Sequence, residues 1–151
     1  MDMERMRKVA TLLNYEIKDL NFKRLVDHVL QRIPDRYEEG FLSFSIYQRY
    51  SKWGAHVYDN NVYFDVKKLE EKSGGDEDVK IGFIAHELAH VFLNHTSSQN
   101  QGRLTLKHED EADEFASMWG FAKEIKAFRQ KIGPPAVEEE IDIIIYTLSR
   151  C

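Results

Sequence analysis

The spacing of apolar residues divides the chain into segments of different periodicity. Met3, Met6, Val9 or Ala10 and Leu13 fall three or four apart, which predicts a helix over residues 3–15. Phe22, Leu25, Val26, Val29, Leu30 and Ile33 keep that spacing after Asn21, a residue suited to an N-cap, and Pro34 ends the stretch. From Gly40 the pattern changes. Phe41, Leu42, Phe44, Ile46, Tyr47 and Tyr50 form an aromatic, β-prone run, and Ala55–Tyr58 and Val62–Val66 flank Asp59-Asn60-Asn61 in the manner of a hairpin. Three strands are predicted.

Lys67 to Lys72 reads as a short helix or turn, followed by a Gly-rich loop. A helix then runs from Val79 to His95, with Asp76, Glu77 and Asp78 placed at the positive end of its dipole. Residues 94–102 are polar and loop-like. A long helix is predicted from Leu106 to Lys131, stopped by Gly133-Pro134-Pro135, and residues 137–149 form a last amphipathic helix. With no internal repeat and no long linker, the expectation is a single α+β domain spanning residues 1–151. It comprises a helical N-terminal scaffold (1–34), a core (40–132) and a C-terminal helix (134–151).

Composition narrows the partners. A chain of 151 residues with 42% hydrophobic and 31% charged residues can bury a real core and is not a disordered tail. The net charge is −5, the acidic excess lies in residues 61–151, and no dense basic block offers a footprint for nucleic acid. Apolar clusters such as Ile143-Ile144-Ile145-Tyr146 are far too short to span a membrane, and the N-terminal residues lack the apolar core of a signal peptide. The only cysteine, Cys151, excludes an intrachain disulfide and suits a reducing compartment, so a soluble, cytoplasmic protein is expected.

The chemistry concentrates in Ile84-Ala85-His86-Glu87-Leu88-Ala89-His90-Val91-Phe92. Four residues apart on a helix, His86 and His90 project from one face, one turn apart, as two nitrogens must to share a zinc ion. Glu87 is swung about 100° around the axis, off the chelating face yet within reach of a water on the metal, whose proton it can take. A catalytic zinc needs a third protein ligand. In His108-Glu109-Asp110-Glu111-Ala112-Asp113-Glu114-Phe115-Ala116, one helical stripe carries Glu109, Ala112, Asp113, Ala116 and Gly120. Its small residues match Ala85 and Ala89 on the motif helix and permit a close crossing, which selects Glu109. Asp113, one turn on, is placed to accept the free ring N–H of a metal-bound histidine. Glu111 shares its stripe with Phe115 and Met118, expected in the core, whereas Asp110 and Glu114 face solvent.

His86-Glu87-Leu88-Ala89-His90 followed by Glu109, Ala112, Asp113, Phe115 and Ala116 resembles the gluzincin metallopeptidase signature. It is similar in style to the soluble minigluzincins, to the catalytic domains of the HtpX and type I CAAX prenyl protease families, and to ImmA/IrrE-type proteins. The resemblance covers mainly residues 62–120. It implies a zincin-like domain, with a small three-stranded sheet on the two motif helices. It further implies zinc on His86, His90 and Glu109, with Glu87 as general base and acid and Asp113 supporting a ligand. It also implies that the strand Val62, Tyr63, Phe64, Asp65 and Val66 offers its edge to an extended peptide or protein substrate.

Two features depart from larger gluzincins: no membrane spans, and only about twenty residues after Lys131. The expected activity is peptide-bond hydrolysis; the rivals are a latent or non-catalytic zinc-binding regulatory protein and a metal-free helical module. An oxyanion partner is left open among His108, Tyr146, Tyr63 and Arg103. His95 reads as a helix-end dipole partner, His28 and His56 as structural or exposed, and Trp53 and Trp119 as core anchors.

Overall fold

Residues Ala10–Glu16 form a strand, β1, in the computed structural model, which describes residues 10–33, 42–93 and 106–134. The sequence pattern predicts helix here, a prediction corrected by the pairing of this segment within a sheet. β1 pairs in parallel with β2 (Leu42–Gln48): Leu12 stands beside Phe44 and Asn14 beside Ser45, which leaves Leu13 outside the ladder. Leu12 and Tyr15 pack against the core while Leu13 is 60% exposed. The inserted residue faces outward, so Leu13, which shares the helical stripe of Met3, Met6 and Val9 or Ala10, is not on the buried side of the strand. Residues 3–9 of the predicted helix lie outside the described residues.

Between β1 and β2 runs helix α1 (Leu20–Arg32), whose Phe22, Leu25, Val26, Val29 and Leu30 are all buried. Its N-cap is Asp19, not Asn21: the Asp19 carboxylate accepts from the Phe22 N–H at 2.9 Å. The backbone N–H groups of Lys18 and Asp19 donate to the Gln48 side-chain carbonyl at 2.8 and 2.9 Å, which fixes where β1 ends and the helix begins. Asn21 instead accepts from Arg24. Ile33, with ψ near 120°, closes the helix ahead of Pro34, which disfavours helical backbone in the residue before it.

β3 (Ala55–Tyr58) and β4 (Asn61–Phe64) form the predicted hairpin. Asp59 and Asn60 both take positive φ, 50° and 63°, as a tight two-residue turn between right-twisted strands requires. β4 also pairs in parallel with β2, so among the described residues the sheet has four strands, not three, in the order β1-β2-β4-β3. This places β4 inside the sheet. The expected peptide-binding edge at Val62–Val66 is therefore corrected: Val62, Tyr63 and Phe64 have ladder partners on both sides. The strand stops at Phe64 because Asp65 caps the next helix, α2 (Val66–Ser73), accepting from the Lys68 N–H at 3.2 Å. On that side of the sheet the outer strand is β3.

Gly74, in the left-handed region at φ 63°, ends α2. Helix α3 (Glu77–Phe92) follows, capped by Asp76 with Glu77 and Asp78 in its first turn. Every residue from Val79 to Val91 is buried, so this helix has no polar face at all. It lies against β3 and β4, α1, and the two helices that come after it. Those are α4 (Leu106–Ala116) and α5 (Ala122–Ile132), separated by a π-helical turn over Ser117–Phe121. The single long helix predicted here is broken at Gly120, whose φ of 101° suits glycine alone. The Ser117 hydroxyl donates back to the Asp113 carbonyl at 2.8 Å, a bond that also favours bending.

Trp53 and Trp119 are buried as expected, whereas Met118 is 54% exposed because the π turn rotates it out of the stripe it would occupy on a continuous helix. The predicted C-terminal helix over 137–149 lies outside the described residues. No helix among the described residues is long and apolar enough to cross a membrane.

Candidate metal centre

Three ligand-type atoms converge where α3 meets α4. His86 and His90 sit one turn apart on α3 and are each 1% exposed; Glu109, in the first turn of α4, is 3% exposed. The Nε2 atoms of the two histidines are 3.1 Å apart. Glu109 Oε2 lies 2.7 Å from His86 Nε2, and Oε1 lies 3.3 Å from His90 Nε2. A tetrahedral ion with bonds of about 2.0–2.1 Å holds its ligand atoms roughly 3.3–3.4 Å apart. The observed triangle is within a few tenths of an ångström of that size, apart from its one shorter side. These residues are brought together as the sequence predicts, and they form a buried group that could hold a metal ion.

The small-residue seam makes this approach possible. Ala85 and Ala89 on α3 and Ala112 and Ala116 on α4 are fully buried, which allows the two backbones to come close. Gly120 does not belong to the seam, since nothing lies within 4 Å of where its Cβ would be; it serves the bend. A second close approach joins α3 to α5. A Cβ on Gly82 would collide with the Glu124 carbonyl oxygen and lie 2.6 Å from Phe128 Cβ. This draws the Phe128 ring to 5.4 Å from the His86 ring.

Asp113 takes the role assigned to it. Its Oδ1 accepts from His86 Nδ1 at 2.7 Å, which puts a ring proton on Nδ1 and directs Nε2 at Glu109 and His90. Glu109 Oε2 is consequently close to a nitrogen but off the line of any donor, and it accepts no aligned hydrogen bond among the described residues. A buried carboxylate oxygen without a donor costs several kcal/mol. Ring nitrogens and a carboxylate crowded in this way are stabilised by a cation between them, and this orphaned oxygen is the observation by which the residues fit a metal.

Without an ion, the cluster is balanced by protons. Burial by itself would keep His86 neutral, yet the Glu109 charge and the hydrogen bond to Asp113 hold its pKa well above the usual range. Burial would raise the Glu109 carboxyl, but His86 and His90 outweigh it and hold it well below. Glu87, 4% exposed, is pushed up to about 7, first by burial; His86 opposes that, Glu109 adds to it, Arg129 opposes it and Asp113 adds a little more.

Arg129 has no counterpart in the sequence reading. Its Nε and Nη2 straddle the Asp113 carboxylate at 2.7 and 3.1 Å, and Nη2 also lies 3.6 Å from Glu109 Oε2. Along the chain it resembles any basic residue in the last turn of a helix, and only the bend at Gly120 brings it back. Of the residues considered for an oxyanion, Tyr63 points to the opposite face of the sheet from its buried neighbours Val62 and Phe64, stacked between Tyr47 and His56. His108 is half-buried beside Glu109 on α4. Tyr146, Arg103 and His95 lie outside the described residues. His28 and His56 are half-buried in structural contacts, the first edge-on to Phe121 and the second bonded to the Ser51 hydroxyl. Asp110 and Glu114 are exposed as expected. Comparison with protein-family models, curated proteins and solved structures finds no match to this chain.

Proposed function

We propose that this chain is a zinc-dependent metallopeptidase with a zincin-like, gluzincin type of site. The observation that carries the reading is the triangle of His86 Nε2, His90 Nε2 and the Glu109 carboxylate, closed on three corners with Glu87 alongside. Two imidazoles and one carboxylate suit zinc by donor chemistry, and three protein ligands leave a position open. Bound there, the ion would supply Lewis acidity, polarising a substrate carbonyl and lowering the pKa of water.

The chain's own groups carry the proton. The Glu87 carboxylate, its pKa near neutrality, accepts a proton from the attacking water and returns it to the leaving nitrogen. Asp113 holds the His86 ring in one tautomer throughout. A peptide or protein substrate would be taken up as an extended strand, and backbone pairing makes such recognition largely independent of side chains. One cysteine in the whole sequence fits a cytoplasmic setting.

A second reading is favoured by the burial itself. His86, Glu87, His90 and Glu109 are all less than a tenth exposed, as in a latent enzyme or a zinc-binding regulatory protein that no longer turns over. Zinc content and hydrolysis of an unfolded protein, measured on the wild type and Glu87→Gln, separate these. For an active peptidase Glu87→Gln retains zinc and loses about 10²–10⁴ in rate. Equal rates in both chains would remove Glu87 from the mechanism, and zinc without hydrolysis in the wild type would favour the second reading.

A further inference from the structure

We infer that Arg129 is a positioning residue for the metal centre, acting through Asp113 to hold His86 Nε2 in its ligating direction. The inference rests on the metal reading above and adds to it a residue from a third helix. His86 is oriented by one bond from Nδ1 to Asp113 Oδ1, and Asp113 is itself only partly buried, with its side chain 18% exposed. A lone carboxylate so placed can rotate about its terminal torsion, which is broad rather than three-welled. The Arg129 guanidinium removes that freedom. Nε meets Oδ2 at 2.7 Å and Nη2 meets Oδ1 at 3.1 Å, a two-point grip that fixes the carboxylate plane and so the direction from which Oδ1 receives the imidazole N–H.

The grip is built from the fold and not from local chain geometry. Arg129 follows Phe128, whose Cβ faces Gly82 at the α3–α5 crossing and whose ring packs on His86. The guanidinium also lies over the Phe128 ring at 4.5 Å, which further limits where it can point. The bend at Gly120 separates α5 from α4, and across it residue 129 reaches residue 113, sixteen positions away. Arg129 Nη2 at 3.6 Å from Glu109 Oε2 means the same fork borders the carboxylate that completes the triangle. Lysine could supply the charge but not the two-point contact.

The test is a double-mutant cycle on metal affinity, read by competition with a chromophoric chelator using cobalt(II) and zinc(II), on wild type, Arg129→Met, Asp113→Asn and the double variant. The visible spectrum of bound cobalt reports ligand geometry alongside affinity. Each single change is expected to weaken binding about 10–100-fold and to shift the cobalt spectrum. Because Arg129 acts through Asp113, the double variant should lose no more than the weaker-binding single variant. Arg129→Lys, which keeps stem and charge, is expected to weaken binding about tenfold as well, and it serves in place of Arg129→Met should that chain not fold. Losses that multiply in the double variant, or wild-type affinity and spectrum in both Arg129 variants, overturn the inference while leaving the metal reading intact. A wild-type chain that takes up neither ion overturns both together.

Discussion

Gly82→Ala separates tertiary packing from local helix preference, because the two predict opposite signs. Within a helix, replacing glycine by alanine stabilises by about 0.8–1 kcal/mol. At Gly82 the added methyl would stand 2.6 Å from Phe128 Cβ and 3.0 Å from the Glu124 carbonyl carbon, and closer still to that carbonyl's oxygen. Carbon atoms pack at about 3.5–4.0 Å, so α3 and α5 must separate by roughly 1 Å, and helical backbone cannot swing aside as a side chain does. Overpacking of this kind costs about 1–3 kcal/mol, with a rigid backbone neighbour favouring the upper end. Subtracting the helix preference leaves a net loss of about 2 kcal/mol, or a Tm lower by roughly 4–8 °C for a chain of this length. Urea and thermal unfolding of the metal-free protein measure it. The same displacement carries Phe128 and Arg129 away from His86 and Asp113, so metal affinity should fall too. A protein that is unchanged or more stable, with metal affinity intact, would show that the α3–α5 contact is not as close as described here.

Three further outcomes are expected. Saturating zinc, at about 100 times its Kd, should stabilise the wild type by about 2.7 kcal/mol, and the shift should vanish in Glu109→Ala, as scanning calorimetry with and without chelator would show. Asp19→Ala removes the α1 cap and should cost about 1 kcal/mol in urea unfolding while leaving chelator-measured metal affinity unchanged, since α1 supplies none of the three ligand residues. Asn60→Gly should stabilise by a few tenths to 1 kcal/mol, because glycine accepts φ 63° without strain and the buried Asn60 side-chain oxygen, which has no hydrogen-bond partner, is removed. A loss of stability would mean the asparagine makes a contact that outweighs both effects.

The site was more legible in the sequence than the fold around it, and the reason is distance along the chain. His86, Glu87 and His90 are related by helix geometry alone, and Glu109 and Asp113 by the same geometry plus a stripe of alanines that only a close crossing explains. The hairpin at Asp59-Asn60 is equally local. β1 was hidden because Leu13, the inserted residue that faces outward, shares the helical stripe of Met3, Met6 and Val9 or Ala10. The interior position of β4 depends on a parallel pairing with β2, thirteen residues or more away, which leaves no mark on β4's own alternation. Arg129 was invisible for the same reason: its partner is reached only after the chain bends at Gly120, and a glycine inside a helical pattern does not announce the angle through which it turns.

Helix α3 has no side turned to water, and this places the two histidines in a stretch whose amide hydrogens can exchange with solvent only when the surrounding layers come apart. Deuterium uptake across Val79–Val91 should therefore be the slowest in the chain and follow the free energy of complete unfolding. The imidazoles are held by the part of the molecule that lets go last, so an ion lost to a chelator leaves behind a seat that is still assembled.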